Sequence, residues 1–217
     1  MKTKGVWKMN ELIRRNYSFE IRAEENESGS VIVGRPIVYD SKTDLGWFDE
    51  VIDRGALDNA DLTDVRFLVN HDLSKIPLAR SRKNTKNSTM QLTVDNDGMS
   101  IRVNLDTENN SEARSLYSAV KRGDITGMSF MFGISDEEWE KLESDHPTRH
   151  IRAISIVAEV SAVTFPAYES TEINARDKNA LQNARSAVET ARRSQQTSVN
   201  TDELELLKLK AKILGGM

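Results

Sequence analysis

The chain has 217 residues, of which 38% are hydrophobic and 29% charged, and its net charge is −4. This length suits one domain of about 150–180 residues with a polar tail. The acidic balance and the lack of a basic, aromatic-interleaved patch give no reason to expect nucleic-acid binding. The absence of cysteine excludes disulfides, thiolate metal sites and a cysteine nucleophile. No apolar run suits a signal peptide or a membrane span, so we expect a cytosolic protein, or one enclosed in an assembly that forms there.

Short strands separated by turns dominate the predicted first half of the chain. Period-two alternation and β-branched residues mark each of them. These segments are residues 12–40 (two strands around a Glu-rich turn), residues 47–52, residues 65–69, and the arms 90–94 and 99–105 of a hairpin that turns at residues 95–98. Residues 53–57 have the pattern of the start of a short helix.

Predicted helices and longer strands follow in the second half. Capping residues, amphipathic stripes and apolar runs define them. They are a helix from Asn110 or Ser111 to Gly123, a strand to Gly133, a short helix from the Ser135–Glu138 capping box to Leu142, an exposed loop at residues 145–150 and a long buried strand, or a pair of strands, at residues 151–165.

Beyond residue 170 the composition changes to Ala, Arg, Asn, Gln, Ser and Thr. A thin apolar stripe over residues 180–191 predicts a helix, and Thr201 caps a last one. A stripe this narrow is not expected to belong to the main core. Three interpretations stay open for this segment: a partner-binding helix, a self-association helix or a removable tail.

Ser129 lies on a strand face that is nearly bare backbone. Between residues 123 and 133 the larger apolar side chains form one face, while Gly127, Ser129, Met131 and Gly133 form the other. Glycines leave room for the close approach of another chain. Ser129 is therefore a candidate nucleophile, although an ordinary strand serine is the commoner case.

His71 follows the predicted strand at residues 65–69, and strand ends are where scaffolds commonly place reactive groups. A lone histidine there is more often packed or hydrogen-bonded than catalytic. The His71-Asp72 dyad also resembles metal phosphohydrolases, but the further ligands that such a site needs have no matching motif. His146 and His150 lie in a predicted loop, where we expect surface residues rather than metal ligands.

Glu159 is a carboxylate within the apolar run at residues 151–165. Burying an unpaired charge costs several kcal/mol, so Glu159 holds a cation or histidine, or pairs with Arg152 or another arginine, unless that face is less buried than the pattern indicates. Together, His71, Ser129 and Glu159 are the set that acyl transfer requires, because an imidazole activates the hydroxyl and a third group orients the imidazole. Spacing alone leaves this assignment undecided.

Three blocks of the sequence resemble the signature blocks of the tailed-phage prohead protease family. They are residues 70–72 (Asn-His-Asp), 122–132 (Arg-Gly-Asp-Ile-Thr-Gly-Met-Ser-Phe-Met-Phe) and 159–168 (Glu-Val-Ser-Ala-Val-Thr-Phe-Pro-Ala-Tyr). Phe48-Asp49-Glu50, followed by residues 54–57, is similar to a further segment of that family. The resemblance covers residues 15–175. It departs from the family at Met131, where a glycine is often found, and we expect the extra side chain to narrow the substrate groove or alter specificity while leaving Ser129 and His71 in place.

The resemblance implies a serine endopeptidase that is packaged inside the procapsid, cuts the scaffold or the scaffolding segment of the major capsid protein, and processes itself. It implies the fold of the herpesvirus assembly protease, an α+β fold in which a mostly antiparallel, β-barrel-like sheet is surrounded by helices. Carried over, His71 is the general base and Ser129 the nucleophile. Glu159 takes the third position, where the herpesvirus enzymes use a second histidine. No metal or organic cofactor is expected.

The expected organisation is a flexible N-terminus at residues 1–14, the protease domain at residues 15–175, and a helical, polar tail at residues 176–217 that targets the enzyme, binds scaffold or is self-cleaved. The expected partners are the capsid and scaffold substrates and a second copy of the chain, with no nucleic acid and no membrane. The expected location is the host cytoplasm during assembly and then the procapsid interior. The alternative is a non-enzymatic capsid assembly or scaffolding protein.

Overall fold

The computed structural model describes residues 12–17, 21–26, 29–164, 185–195 and 208. The predicted helix at Thr201 and most of the predicted N-terminal and tail segments lie outside the described residues. The elements are β1 (Ile13–Tyr17), β2 (Ile21–Asn26), β3 (Gly29–Val38), β4 (Lys42–Asp44), β5 (Asp49–Ile52), β6 (Asp64–Val69), β7 (Ala79–Arg82), β8 (Met90–Asp95), β9 (Gly98–Leu105), α1 (Ser111–Arg122), β10 (Gly127–Glu140), β11 (Thr148–Val163) and α2 (185–195).

Two sheets form the body of the described chain. In the first, β1, β10, β11, β5 and β4 are hydrogen-bonded in that order, and β6, which carries β7, also pairs with β11. Because β10 occupies one edge of β11, β5 and β6 share the other edge, and both run parallel to it. The second sheet is antiparallel, in the order β2, β3, β9, β8. Neither order closes on itself, so the expected barrel is wrong and the sheets are open and mixed.

One hydrophobic cluster joins both sheets and α1. Phe130 and Phe132 are fully buried in it, with ring centroids 4.7 Å apart, as the alternation along this strand predicts. Ile32 from the second sheet and Leu116 from α1 belong to the same cluster. Burial of this apolar surface is the main favourable term in the stability of the body.

The helix and the hairpin that local signals predict are both confirmed. The Asn110 side-chain oxygen accepts the backbone N–H groups of Glu112 and Ala113 at 2.9 and 3.2 Å. The helix ends at Gly123, whose φ of 79° is left-handed. β8 and β9 pair across the turn at residues 95–98. Local signals suffice here because the cap and turn contacts span only a few residues.

The short helix predicted from Ser135 is wrong, because β10 continues through this segment as a strand. β11 lies opposite the segment and pairs with it antiparallel. The carboxylates of the predicted helix form cross-strand ion pairs instead, Glu137 with Arg149 and Glu138 with Arg152. Pairing with β11 therefore outweighs the local helical signal.

Three further expectations are corrected. Residues 53–57 form successive turns rather than a helix, beginning with the hydrogen bond from Ala56 N–H to the Asp53 carbonyl at 3.0 Å. Residues 148–150 of the predicted loop belong to β11. In the described ranges, α1, α2 and residue 208 are helical, so the few helices there do not surround the sheets. Within those same ranges, no helix is long and apolar enough to cross a bilayer.

The predicted tail helix is described in part, as α2, and it packs against the body. Val188 is buried against Phe48. The Arg192 guanidinium donates to the carbonyl oxygens of Leu142 and Ser144 at 2.9 and 2.6 Å. The narrow apolar stripe of this helix therefore has a partner surface in the same chain.

Candidate active site

Three neighbouring strands, β6, β10 and β11, carry the candidate residues. Ser129 on β10 lies directly opposite Ser161 on β11, and Glu159 lies two residues earlier on β11. Directly opposite side chains occupy the same face of a sheet, and so do alternate residues of one strand. On the other edge of β11, β6 ends with Val69 level with Ala162. The ends of these strands therefore bring the candidate residues to one place.

His71 reaches this face because the chain turns sharply where β6 ends. Asn70 and His71 have left-handed φ values of 52° and 57°, which are uncommon for residues other than glycine. The Asn70 N–H donates to the Ala162 carbonyl at 2.9 Å, and the His71 N–H donates to Ser161 Oγ at 3.1 Å. The turn is thus tied to β11, and it directs the imidazole towards Ser129.

The three candidate side chains form one hydrogen-bonded row. His71 Nε2 lies 2.5 Å from Ser129 Oγ, and His71 Nδ1 lies 2.5 Å from Glu159 Oε1. An ionised carboxylate only accepts hydrogen bonds, so Nδ1–H donates to Glu159, and Nε2 of the neutral imidazole accepts the Ser129 hydroxyl. The structure therefore brings together all three residues selected from the sequence.

Glu159 is only 1% exposed, and its partners satisfy the buried carboxylate. Oε2 accepts the Ser161 hydroxyl at 2.6 Å, in addition to the imidazole contact at Oε1. Arg152, the alternative partner, contacts Asp53 at 3.1 Å and also pairs with Glu138. Of the three interpretations of this carboxylate, the structure favours the one in which it contacts a histidine, because the face is buried and Arg152 pairs elsewhere.

The glycine-flanked face of β10 is covered by the protein itself. Ser129 has no exposed surface, although the sequence predicts a face that another chain can approach. A Cβ at Gly133 would lie 2.7 Å from Ser155 Oγ and 3.3 Å from Ile156 Cγ2, so the glycine makes room for β11. In this structure, Ser129 is therefore not accessible from solvent.

Asp72, the neighbour of His71, belongs to a turn. Its Oδ1 accepts the Ser74 hydroxyl at 2.5 Å and the Ser74 N–H at 3.0 Å. These two hydrogen bonds, the side-chain one first, lower the pKa of Asp72 because they favour its ionised form. The metal-site interpretation of His71 and Asp72 gains no support from this arrangement.

The other two histidines lie near the start of β11, whereas Glu159 lies near its end. His146 Nε2 is 3.1 Å from Asp49 Oδ1, and His150 Nδ1 is 2.8 Å from Asp53 Oδ1. Partial burial alone would raise the pKa of Asp49. Hydrogen bonds from Lys42 and from His146 outweigh the effect of burial and lower this pKa. Both histidines are therefore partners of carboxylates away from Ser129.

Two residues of the site have no role in the sequence prediction. Ser161 lies on the face of Glu159 and contacts both its carboxylate and the His71 backbone. Asn70 accepts the Thr164 N–H at its side-chain oxygen, at 3.0 Å. The signal that could have found Ser161 is strand periodicity, which places it two residues beyond the buried carboxylate.

A largely apolar groove runs beside the His71 turn. It has a volume of about 490 Å³ and lies between the segment that follows β6 and α1, with Leu116 and Ile125 in its lining. An ion pair between Lys75 and Glu112, at 2.8 Å, joins the two sides of the groove. Clefts of this kind, apolar with a few polar groups, are typical of ligand sites.

A hydroxyl, an imidazole and a buried carboxylate in one row are the arrangement by which serine hydrolases activate a nucleophile. The site therefore has the geometry of a serine hydrolase. The family model described as caudovirus prohead serine protease matches residues 17–186. Because this match covers most of the chain, the chain belongs to that family, and it is a serine protease of phage capsid maturation. The predicted family and enzyme class are confirmed, in preference to the non-enzymatic scaffolding alternative.

Among solved structures, the bacteriophage T4 capsid assembly protease gp21 is similar to this chain, with a TM-score of 0.40 and 12% sequence identity. The alignment covers 72% of this chain and 98% of that chain. No curated protein matches the sequence. The expected relation to the herpesvirus assembly protease fold stays a prediction.

Proposed function

We propose that this protease is the endopeptidase that cuts the scaffold, or the scaffolding segment of the major capsid protein, and also cuts itself. In this proposal His71 is the general base, Ser129 the nucleophile and Glu159 the group that orients the imidazole. The observation that carries it is the unbroken row from Ser129 through His71 to Glu159, with two contacts of 2.5 Å. The proposed location is the procapsid interior, after assembly in the host cytoplasm.

The proposed reaction follows from the hydrogen bonds of the row. Ser129 Oγ attacks the scissile carbonyl while His71 Nε2 takes its proton, and Glu159 stabilises the imidazolium in a buried setting. His71 then gives this proton to the amine as the C–N bond breaks, which leaves an acyl ester on Ser129. A water molecule, deprotonated by His71, attacks the ester. The proton returns to Ser129 as the carboxylic acid product leaves.

Access to the nucleophile is part of the proposal. Ser129 is fully buried and the His71 side chain is 9% exposed, so a peptide must displace the groups that cover them. We place a substrate side chain in the apolar groove beside the His71 turn, since apolar lining favours an apolar side chain. Cleavage is then preceded by a local opening step.

In the proposed organisation, residues 15–175 form the protease domain, with an N-terminal segment at residues 1–14 and the tail at residues 176–217. Ile13 and Arg14 of the N-terminal segment belong to β1 and pair with β10, so these two residues extend the domain rather than form a flexible end. The tail targets the enzyme, binds scaffold or is removed by self-cleavage. The contact of Val188 with Phe48 supports a tail that is anchored to the body through α2. The proposed partners are the capsid and scaffold substrates and a second copy of the chain.

The decisive experiment co-expresses the full chain with the major capsid protein and maps all fragments by mass spectrometry. The wild type is expected to cut both proteins, while Ser129→Ala cuts neither. Ser81→Ala is the matched control, because Ser81 is also fully buried and its hydroxyl has no hydrogen-bond partner among the described residues. Cleavage by Ser129→Ala at the wild-type rate and sites would refute the proposal.

Two further measurements test the assigned chemistry. A fluorophosphonate probe is expected to label the wild type on Ser129 and to label His71→Ala far more slowly; undiminished labelling without His71 argues against the assigned base. The proposed route needs no metal or organic cofactor, so cleavage is expected to continue in a chelator. Activity that a chelator removes and a divalent ion restores favours a metal hydrolase that uses His71 and Asp72.

A further inference from the structure

Ser161 is a buried residue that contacts both the backbone of His71 and the carboxylate of Glu159. Its side chain has no exposed surface. Oγ donates to Glu159 Oε2 at 2.6 Å and accepts the His71 backbone N–H at 3.1 Å. One hydroxyl is therefore bonded to the carboxylate that faces the imidazole and to the backbone that carries the imidazole.

The backbone of His71 needs such support because its conformation is intrinsically unfavourable. Left-handed φ values at two successive residues other than glycine persist only where the surroundings determine them. β11 and the residue that follows it provide three hydrogen-bonding groups to this turn. Ser161 Oγ accepts from His71 N–H, the Ala162 carbonyl accepts from Asn70 N–H, and Thr164 N–H donates to the Asn70 side chain.

We propose that Ser161 is a positioning residue, which fixes the His71 turn and the Glu159 carboxylate relative to each other so that the imidazole meets Ser129 in the reactive orientation. This inference rests on the proposed function. Ser161 acts through His71 and Glu159 rather than on the substrate, because its hydroxyl proton is directed to Glu159 Oε2. Displacement of reacting groups by about 1 Å can cost about 10²-fold in rate, so removal of this hydroxyl reduces turnover more than binding.

The test measures labelling of the full-length protein by a fluorophosphonate probe, separating the maximal labelling rate constant from the half-saturating probe concentration. Ser161→Ala is expected to lower the maximal rate roughly 10- to 100-fold and to leave the half-saturating concentration unchanged. Ser161→Thr, which keeps the hydroxyl on a β-branched residue suited to a strand, is expected to recover most of the rate.

Ser155→Ala is the control, because Ser155 lies on the same strand and its buried hydroxyl has no hydrogen-bond partner among the described residues. It is expected to label like the wild type, and thermal melting is expected to show all three variants folded. A wild-type rate in Ser161→Ala overturns the inference, and so does a folded Ser161→Thr that labels as slowly as the alanine variant. These outcomes leave the proposed function standing, whereas undiminished substrate cleavage by Ser129→Ala removes both.

Discussion

Glu50 and Glu159 are two buried carboxylates at opposite ends of β11, and their partners differ in kind. Both residues are only 1% exposed. Glu50 lies on β5 opposite Arg149, whose guanidinium is 3.4 Å away. Glu159 faces the imidazole of His71 at 2.5 Å. β11 contributes to both sites, with Arg149 in one and Glu159 in the other, and the two carboxylates are equally buried. The sites therefore differ chiefly in the residue that each carboxylate contacts.

The partner decides what a buried carboxylate can do. Arginine stays charged throughout the accessible pH range, so Arg149 is a fixed cation that links its own strand to the strand of Glu50 and takes no part in proton transfer. An imidazole can take up a proton at one nitrogen and release it again, and the second nitrogen of His71 faces Ser129. A carboxylate that stabilises the protonated form of that ring therefore supports proton transfer, which is the role proposed for Glu159.

The largest effect is expected for substitution of Glu159, the carboxylate that contacts His71. Glu159→Gln keeps the shape of the side chain but removes the charge that stabilises the imidazolium. Cleavage is expected to fall by about 10²–10⁴-fold, as for loss of the orienting carboxylate in other triads. Fragment formation over time measures it. A folded Glu159→Gln variant with wild-type cleavage would assign Glu159 to structure, as Glu50 is.

The next largest effect is expected at the pair of Glu50 with Arg149, where a substitution changes stability rather than catalysis. Glu50→Gln removes one charge from a buried pair while Arg149 keeps Glu137 as a partner. The free energy of unfolding is expected to fall by about 1–3 kcal/mol in a urea titration. Fluorophosphonate labelling of Ser129 in the folded variant is expected to stay within about twofold of wild type, because Glu50 does not belong to the row formed by Ser129, His71 and Glu159. Lost labelling with unchanged stability contradicts the assignment of a structural role to Glu50 and a catalytic role to Glu159.

A smaller effect tests the surface on which α2 packs near Glu50. Val188→Ala removes two methyl groups from the contact with Phe48, which costs about 1.5 kcal/mol of local packing. Faster proteolysis of the segment that contains α2 is expected, with the body intact. Thr190→Ala, an exposed change on the same helix, is the control and is expected to behave as wild type. Equal proteolysis of the two variants argues against a packed α2.

The smallest effect shows how far exposure reduces the value of an ion pair. Glu138→Gln breaks the cross-strand pair with Arg152. The side chain of Glu138 is 59% exposed and that of Arg152 is 46% exposed. The free energy of unfolding is expected to fall by only about 0.2–1 kcal/mol, because solvent screens exposed charges. A urea titration beside that of Glu50→Gln provides the comparison. A loss as large as that of Glu50→Gln contradicts burial as the deciding factor.

Local elements could be predicted because their determinants are neighbours in the chain. Asn110 bonds to N–H groups two and three residues ahead, and Gly123 adopts the conformation that ends α1. The helix predicted from Ser135 failed for the opposite reason. Its acidic residues met arginines of β11, and this long-range pairing outweighed a local capping pattern.

The sequence by itself determined the chemistry available at the site, since a strand serine, a histidine at a strand end and a carboxylate in an apolar run could be recognised one by one and matched to a family. Only the tertiary structure decided that they meet. The contacts of His71 with Ser129 and Glu159 span 58 and 88 residues, and the contact with Ser161 spans 90. Pairing of β6 and β10 with opposite edges of β11 creates these contacts. Side-chain patterns record which face is buried, but they do not record which distant strand lies alongside.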